Sequence, residues 1–222
     1  MTTEVNISFN EGLNLIKENN LHQDPESEII KIQETFSNVI KKSGPDSFNA
    51  MLVLFNADSD PVFAIEPRPY TNKRDMYVAF AEMLFAYSSF NATCFVMSND
   101  TRMTTIDNND TNAAITMEAL NISFVGSEVA CVVILPYEIQ NNEQGEDIVY
   151  WKNELFSISS LTDSSQPVQG NMTELFYIMS HIKRSSFNMN TLINYYSFRD
   201  FSSVVPEESI AQKIYVNMSK DD

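Results

Sequence analysis

The sequence predicts a single α+β domain spanning residues 1–222, with a mainly antiparallel or mixed sheet of about five to seven strands and flanking helices. Three observations support this class. Apolar residues recur at helical spacing in a few segments, short apolar runs of strand length lie between them, and these runs often follow one another without an intervening helix. The apolar fraction of 43% and the five glycines in 222 residues are typical of one packed core without flexible linkers.

Two helices are predicted within residues 1–45, and this segment is expected to pack on the rest of the domain. The first covers residues 9–21 and is short. The second begins after Asp24, whose side chain suits the N-cap, and Pro25 suits the first helical position. Its apolar side chains fall on one stripe, which predicts contact with an apolar surface. They are Ile29, Ile32, Phe36, Val39 and Ile40.

Residues 46–222 are predicted to form the sheet and the remaining helices. The runs 49–55 and 61–67 have strand character, and the polar residues between them predict a hairpin turn. A helix is predicted over residues 71–90, with Asn72 as its N-cap. Its apolar residues extend beyond one face, which predicts a central position in the domain.

Several further strands are expected after that helix, because short apolar runs alternate with polar loops, the first of which covers residues 99–113. The predicted strands cover residues 92–98, 119–125, 128–139 and 148–159. A helix is expected over residues 171–187. Residues 190–201 fit either a helix or a strand, and residues 211–219 fit a last strand.

The charge balance is the most distinctive global property of the chain. Thirty acidic and fourteen basic residues give a net charge of −16 at pH 7, with an isoelectric point near 4.4. Such a surface repels nucleic-acid phosphates and anionic lipid headgroups, and it attracts basic proteins. The acids are spread over the whole chain, which also fits a purely solubilising role. We therefore expect a basic protein surface as the partner, and neither nucleic acid nor a membrane.

The stretch LVLFNADSDPVF, residues 52–63, contains a short pattern that resembles a known enzyme family. Asp58, Asp60 and Val62 resemble the D-x-D-x-T/V motif of haloacid-dehalogenase-type phosphotransferases. The resemblance implies that Asp58 attacks phosphorus, that Asp60 acts as acid/base and that both help to hold Mg²⁺. Strand character resumes at Pro61, however, which suits a hairpin better than a strand-to-helix crossover, so a turn is the favoured interpretation.

No other pattern predicts a cofactor, a metal ion or a catalytic residue with any specificity. Residues 107–118 match several positions of a calcium loop, but the segment before them is not helical, so a solvated loop is predicted. His22 and His181 lack the spacing of metal ligands, and no glycine-rich phosphate loop is present. Cys94 and Cys131 lie in apolar runs and are predicted to be buried free thiols.

The leading hypothesis is a non-enzymatic cytoplasmic protein that binds another protein and uses no cofactor. One concrete form is a phage or viral inhibitor that covers a basic nucleic-acid-binding surface as a nucleic-acid mimic. The abundance of Asn, Ile, Phe, Tyr and Met with few glycines indicates AT-rich coding, which is common in such sources. Two alternatives stay open: a structural or assembly component of a virion or other complex, homo-oligomers included, and a magnesium-dependent phosphotransferase that uses Asp58 and Asp60.

Two segments are predicted to contact the partner. Residues 138–154 form the most negative span of their length outside the termini, and a rigid array of carboxylates is needed to imitate phosphates. Residues 198–201 combine aromatic and arginine side chains, which often dominate the energy of binding at interfaces. The predicted contacts are Glu143, Glu146 and Asp147 in the first segment and Phe198, Arg199 and Phe201 in the second.

Overall fold

The structure is a computed structural model that describes residues 7–83, 92–106, 114–160 and 189–204. Within these residues the chain forms four helices and eight strands. The helices are α1 (Phe9–Glu18), α2 (Pro25–Ser43), α3 (Lys73–Met83) and α4 (Met189–Phe198). The strands are β1 (Met51–Phe55), β2 (Pro61–Glu66), β3 (Cys94–Ile106), β4 (Ala114–Val125), β5 (Val129–Asn141), β6 (Asp147–Trp151), β7 (Leu155–Ser160) and β8 (Ser202–Val204).

The eight described strands form one sheet in which every pair of neighbours runs antiparallel. Along the sheet the order is β6, β5, β4, β3, β1, β2, β8, and β7 also pairs with β5. Together with the flanking helices, this arrangement confirms the predicted α+β class. The sheet exceeds the predicted strand number because one predicted strand is divided into β6 and β7, and because the short strand β8 follows α4.

The N-terminal helices begin at residues that cap them. In α1, the Ser8 Oγ atom accepts a hydrogen bond from the Glu11 amide at 3.4 Å, and the Glu11 carboxylate accepts one from the Ser8 amide at 3.0 Å. In α2, Asp24 is the N-cap as predicted and accepts a hydrogen bond from the Ser27 amide at 3.3 Å, with Pro25 in the first turn. Each cap satisfies amides that have no partner inside the helix, so the sequence specifies where both helices start.

Apolar side chains cover both faces of the sheet, because the central strands are apolar at almost every position. In β1, Val53 and Phe55 face α1 and α2, whereas Leu52 and Leu54 face α3 and α4. The core on the side of α1 and α2 includes Ile16, Ile29, Phe36, Val96, Phe124 and Val133. The core on the side of α3 and α4 includes Phe63, Ile65, Phe80, Phe95, Leu192 and Tyr196. The sheet is therefore the middle layer between two pairs of helices.

The predicted polar loop over residues 99–113 is wrong in its first part. β3 continues to Ile106, because residues 99–106 pair with β4 in a regular antiparallel ladder. Polar side chains are tolerated at residues 99–102, which are half-buried or exposed, since backbone hydrogen bonds hold the hairpin together there. Residues 107–113, which include most of the calcium-loop pattern, lie outside the described residues, and Glu118 at the end of that pattern lies within β4.

β6 and β7, which were predicted as one strand, both pair with the same edge of β5. Trp151 lies opposite Tyr137 and Leu155 lies opposite Ile134. Residues 152–154 thus face only two residues of β5, so one additional residue is accommodated between the two strands. This geometry is that of a β-bulge, which no periodicity in the sequence indicates.

The remaining predictions about local structure are partly settled. The segment that fitted either a helix or a strand forms α4 and then β8. Asn72 caps α3 as predicted, since its Oδ1 atom accepts a hydrogen bond from the Asp75 amide at 3.0 Å. The predicted continuation of α3 to residue 90, the helix over residues 171–187 and the strand over residues 211–219 lie outside the described residues. None of the described helices has the length and apolarity needed to cross a bilayer.

Candidate functional site

The acids predicted to face a partner lie together on the β5–β6 hairpin. Glu143 is exposed in the turn, and Glu146 and Asp147, at the start of the return strand, are partly exposed. One asparagine organises this turn: the Asn142 Oδ1 atom accepts hydrogen bonds from the backbone amides of Gln144 and Glu146, both at 2.9 Å. The three carboxylates are therefore presented on an ordered turn.

The hairpin reverses at Gly145, which is exposed. Gly145 has a φ of +78°, in the left-handed region that glycine adopts at little cost. Its amide donates to the Asn142 carbonyl at 3.0 Å, and the Asn142 amide donates to the Glu146 carbonyl at 2.9 Å. A β-carbon at Gly145 would meet no atom within 4 Å, so the space beside this residue is open.

Glu146 is bound within the protein. Its carboxylate lies 3.1 Å from the Lys41 Nζ atom, near the end of α2, and accepts a hydrogen bond from the Asn142 Nδ2 atom at 3.0 Å. The hydrogen bond from Lys41, followed by that from Asn142, lowers the pKa of Glu146. Glu146 therefore connects the hairpin to α2 and is less available to a partner than its place in the acidic span predicted.

The other carboxylates of the hairpin differ in how far a neighbouring group compensates them. Asp147 accepts a hydrogen bond from the Asn141 Nδ2 atom at 2.8 Å. Glu138 forms an ion pair with Lys152 across the two strands. Glu143 has no ion pair with any described residue. Of the three acids predicted to contact a partner, Glu143 is thus the most available.

A cleft of about 400 Å³ opens beside the hairpin, where β4 and β5 separate. Thr116 and Glu118 line it from β4, and Tyr137 and Ile139 line it from β5. The ladder of paired residues between these strands ends at Glu118 and Tyr137, although both strands continue beyond that pair. Sequence analysis missed this cleft, because strand length alone does not reveal where two neighbours stop pairing.

Tyr137 forms the closed end of the cleft. Its hydroxyl donates to the Asp100 Oδ1 atom at 2.8 Å, and its ring packs against Phe36 and Trp151 with ring centroids 4.9 and 5.8 Å apart. Burial raises the pKa of Tyr137 and also that of Asp100. The Tyr137 side chain is thus held by a carboxylate and by two rings at the last residue pair of the β4–β5 ladder.

The second predicted contact segment is divided by the structure. Phe198, at the end of α4, is 83% exposed. Arg199 is bound internally, since its guanidinium donates to the Glu82 carboxylate at 2.6 and 3.0 Å. Phe201 is only 7% exposed and belongs to the core, because Asp200, with a φ of +60°, turns the chain back onto the sheet. Phe198 is therefore still a predicted partner contact, whereas Phe201 is buried and Arg199 is paired within the protein.

Sequence analysis also missed a charged cluster that joins α3 to α4. The Glu82 carboxylate accepts hydrogen bonds from Arg68 at 2.8 Å, from Arg199 and from the Tyr195 hydroxyl at 3.2 Å, and Arg68 also contacts Asp75 at 2.6 Å. Burial alone would raise the pKa of Glu82, but hydrogen bonds from Arg68 and Arg199 lower it. Both arginines are matched by carboxylates, so the cluster cross-links the fold rather than offering free cations to a ligand.

Asp58 and Asp60 lie in the turn of the β1–β2 hairpin. The two strands are antiparallel, and the Asn56 Oδ1 atom accepts hydrogen bonds from the amides of Asp58 and Asp60 at 3.0 and 2.9 Å. The predicted hairpin is confirmed, and the two aspartates lie at an exposed turn instead of at the start of a crossover to a helix. Among the described residues, no group of three histidine, cysteine or acidic side chains could hold a metal ion.

The described histidine and the two cysteines are packed in the core. Cys94 and Cys131 are buried and free, as predicted, and burial raises the pKa of each thiol to about 12. His22 is buried against Phe55, with ring centroids 4.8 Å apart, and its Nδ1 atom accepts a hydrogen bond from the Asp24 amide at 3.1 Å. Burial lowers the pKa of His22, so its ring is neutral at pH 7.

Comparison of the chain with protein-family models, with curated proteins and with solved structures finds no match. Function is therefore inferred from the geometry and charge of the described residues.

Proposed function

We propose that this protein acts without catalysis, by binding a basic region of another protein with its acidic β5–β6 hairpin. The observation that carries this proposal is the position of Glu143, which is exposed on an ordered turn and has no ion pair with any described residue. Carboxylates held on an ordered turn attract a cationic surface and lose little conformational freedom on binding. The turn of the hairpin is thus better suited to contact a partner than the rest of residues 138–154.

The charge of the whole chain supports the same function. A net charge of −16 accelerates association with a cationic partner and disfavours contact with nucleic acid itself. A protein that binds nucleic acid through a basic surface is a partner of the required chemistry. The specific form that we propose is an inhibitor of phage or viral origin that covers such a surface in the host cytoplasm.

We further propose that residues 1–222 act as one α+β domain. The support for this is a shared core: Ile16 of α1 and Phe36 of α2 belong to the same buried cluster as Phe124 of β4. Helices that share a core with a sheet position the strands rigidly, and the hairpin at the end of β5 then has a fixed orientation relative to Lys41 of α2.

The test is binding to a fluorescent oligolysine peptide, measured by anisotropy at about 0.05 M and about 0.5 M salt. The parent protein should bind at low salt and lose most of its affinity at high salt. The double variant Glu143→Lys, Asp147→Lys should bind about tenfold more weakly at low salt, because two attractive charges become repulsive ones. Glu146 is left unchanged so that its ion pair with Lys41 is kept.

The matched control is the double variant Asp58→Lys, Asp60→Lys, which changes the net charge equally on a different exposed acidic turn. It should reduce the affinity much less than the hairpin variant. Equal losses would show that total charge, not the β5–β6 hairpin, explains the binding. Failure of the parent protein to bind the peptide at low salt would contradict the proposed function itself.

A second candidate function, a structural or assembly component of a virion or other complex, is supported by a groove beside α2 that contains an exposed apolar side chain. Ile30 is 46% exposed, and together with Trp151 it lines a shallow groove of about 450 Å³. The other residues of the groove are Gln33, Glu34, Ser37 and Asn38, and an apolar centre with a polar rim is typical of protein–protein contacts. Native mass spectrometry tests the homo-oligomeric form: a stable oligomer that dissociates in the Ile30→Lys variant supports it, and a strict monomer removes it.

A further inference from the structure

The sheet forks at one end. The β4–β5 ladder stops at Glu118 and Tyr137, yet β4 extends outward from there to Ala114 and β5 extends outward to Asn141. In these outer parts, the pairs among described residues join β4 to β3 and β5 to β6. Two separate ribbons, β3–β4 and β5–β6, therefore diverge from a common line, and the cleft of about 400 Å³ lies between them.

The alternation of backbone hydrogen bonds shows which groups face the fork. The Gly126 amide donates to the Val129 carbonyl at 3.0 Å, toward β4, and the Lys152 amide donates to the Pro136 carbonyl at 2.8 Å, toward β6. Successive residues of a strand direct their amides and carbonyls to opposite sides. The amide and carbonyl of Ile139 therefore point into the fork.

The edge of β4 that lies opposite Ile139 also directs backbone groups into the fork. In the register of the β4–β5 ladder, Thr116 would be the residue opposite Ile139, so its amide and carbonyl also point into the fork. No described strand pairs with either residue on that side. Unpaired edges that face one another across an open cleft are a template for an added strand.

We propose that this fork accepts an extended, basic segment of a partner protein as an added β-strand. Extended backbone has free donors and acceptors along both of its edges, which can pair with β4 and with β5, whereas a helix has none free along its length. Because β4 and β5 run antiparallel to one another, the added strand runs antiparallel to one of them and parallel to the other.

The charge around the fork selects a basic segment. Glu118 and Glu138 border the cleft, and Glu143 lies beyond it on the same hairpin. Arg102 is paired with Glu118 and Lys152 with Glu138, and the two hairpin acids without an ion pair to a described residue, Glu143 and Asp147, remain to meet the side chains of the added strand. The preference for a basic segment rests on the proposed function, whereas the backbone pairing does not.

The test compares two short peptides of alternating lysine and valine, one of them methylated on the backbone nitrogen of each valine. The peptides have the same charge, but methylation removes the donors along one edge. Fluorescence anisotropy with the full chain should give an affinity about tenfold lower for the methylated peptide, which corresponds to the loss of one or two net hydrogen bonds.

Two variants of the fork separate backbone pairing from charge. Thr116→Pro removes the amide that points into the fork but none that pairs with β3, and Thr116 is exposed, so little packing is lost. It should weaken binding of the unmethylated peptide about tenfold, whereas the control Thr116→Ala keeps the amide and should bind like the parent. In the parent, amide hydrogen exchange at Thr116 and Ile139 should slow when the peptide is added, and exchange at Met117, whose amide faces β3, should not change.

Three results would overturn the inference. Equal affinity for both peptides would show that charge alone drives binding, which leaves the proposed function intact. Unchanged exchange at Thr116 and Ile139 in the presence of bound peptide would place the peptide elsewhere. Protection of both amides in the protein alone, in proportion to its own concentration, would show that a second copy of the chain occupies the fork.

Discussion

The β1–β2 and β5–β6 hairpins have the same turn chemistry in different surroundings. In each turn an asparagine, Asn56 or Asn142, accepts hydrogen bonds from two backbone amides with its Oδ1 atom, at 2.9 to 3.0 Å. In each, the fourth residue has a positive φ, +62° at Ser59 and +78° at Gly145. The sequences NADSD and NEQGE thus specify one turn geometry through their first and fourth residues.

What the two turns touch is different. The first is docked on the connection between α1 and α2, since Gln23 donates from its amide to the Ser59 Oγ atom at 2.8 Å and from its side chain to the Ala57 carbonyl at 3.2 Å. The second turn is joined to a helix by the ion pair of Glu146 with Lys41. Local sequence shapes a turn, whereas its tertiary contacts decide whether it is part of the packed structure or free to meet a partner.

Replacement of the turn asparagines, Asn56 and Asn142, should have the largest effect on the free energy of unfolding. Asn56→Ala and Asn142→Ala should each lower the free energy of unfolding by about 1–3 kcal/mol, because two backbone amides lose their acceptor. Asn56→Ala should cost more, since the contacts with Gln23 depend on the turn. Chemical denaturation measures both. Aspartate at either position keeps an oxygen acceptor and should retain most of the stability, and an equal loss for aspartate and alanine would show that these bonds do not hold the turns.

Substitution of the two residues with a positive φ, Ser59 and Gly145, should change the free energy of unfolding less, and by different amounts in the two hairpins. Gly145→Ala should lower the free energy of unfolding by about 1 kcal/mol through backbone conformation alone, because a β-carbon there meets no neighbour. Ser59→Gly relieves the same conformational cost but loses the hydrogen bond with Gln23, so the net change should lie within about 0.5 kcal/mol. Thermal and chemical denaturation of both variants test the asymmetry, and a neutral Gly145→Ala would contradict a left-handed residue at that position.

Acidification should lower the stability of the protein through His22, which lies beside the first hairpin. His22 lies beside the last residue of β1, Phe55, and burial lowers its pKa, with Lys31 adding to the decrease and Asp24 opposing it. The folded-state pKa lies below the unfolded value of about 6.5, so the unfolded state binds the proton more readily. This contribution to stability is complete above that pH and is lost progressively as the pH falls toward the folded-state value.

The measurement is the free energy of unfolding of the parent and of His22→Asn from pH 7.5 to pH 5, a window on both sides of the ordinary histidine pKa of about 6.5. Asparagine retains an acceptor for the Asp24 amide but does not titrate. The parent should lose more stability than the variant over this range. Parallel curves would mean that His22 has the same pKa in the folded and the unfolded chain.

Removal of the ion pair between Glu146 and Lys41 should have the smallest effect on the free energy of unfolding. Glu146→Gln should reduce stability slightly at low salt and not at high salt, because both partners are partly exposed and screened. Since the hydrogen bond from Lys41 lowers the pKa of Glu146, the contribution is present above the ordinary glutamate pKa and is lost as the pH falls through the folded-state value. Glu143→Gln, which breaks no ion pair, is the control, and the same salt dependence in both variants would argue against the pair.

The candidate site could be predicted only in part. The acidic span and its turn are local features, so Glu143 at an exposed hairpin follows from the sequence. The compensation of Glu146 by Lys41 does not, because the two residues are distant in the chain and meet only when β5–β6 lies beside α2. Phe201 could not be assigned to the core for the same reason. The local sequence after a helix does not show whether the chain turns toward the core or toward solvent.

By itself the sequence determined the elements whose causes are local. Caps at Asp24 and Asn72 start helices, asparagines at the first position close two hairpins, and apolar runs place Cys94 in a buried strand, because each of these effects acts within a few residues. Only the tertiary structure decided the long pairing of β3 with β4, the bulge between β6 and β7, and the fork beyond Tyr137. Pairing between strands depends on which backbones approach one another in space, and side-chain periodicity contains no record of where that approach ends.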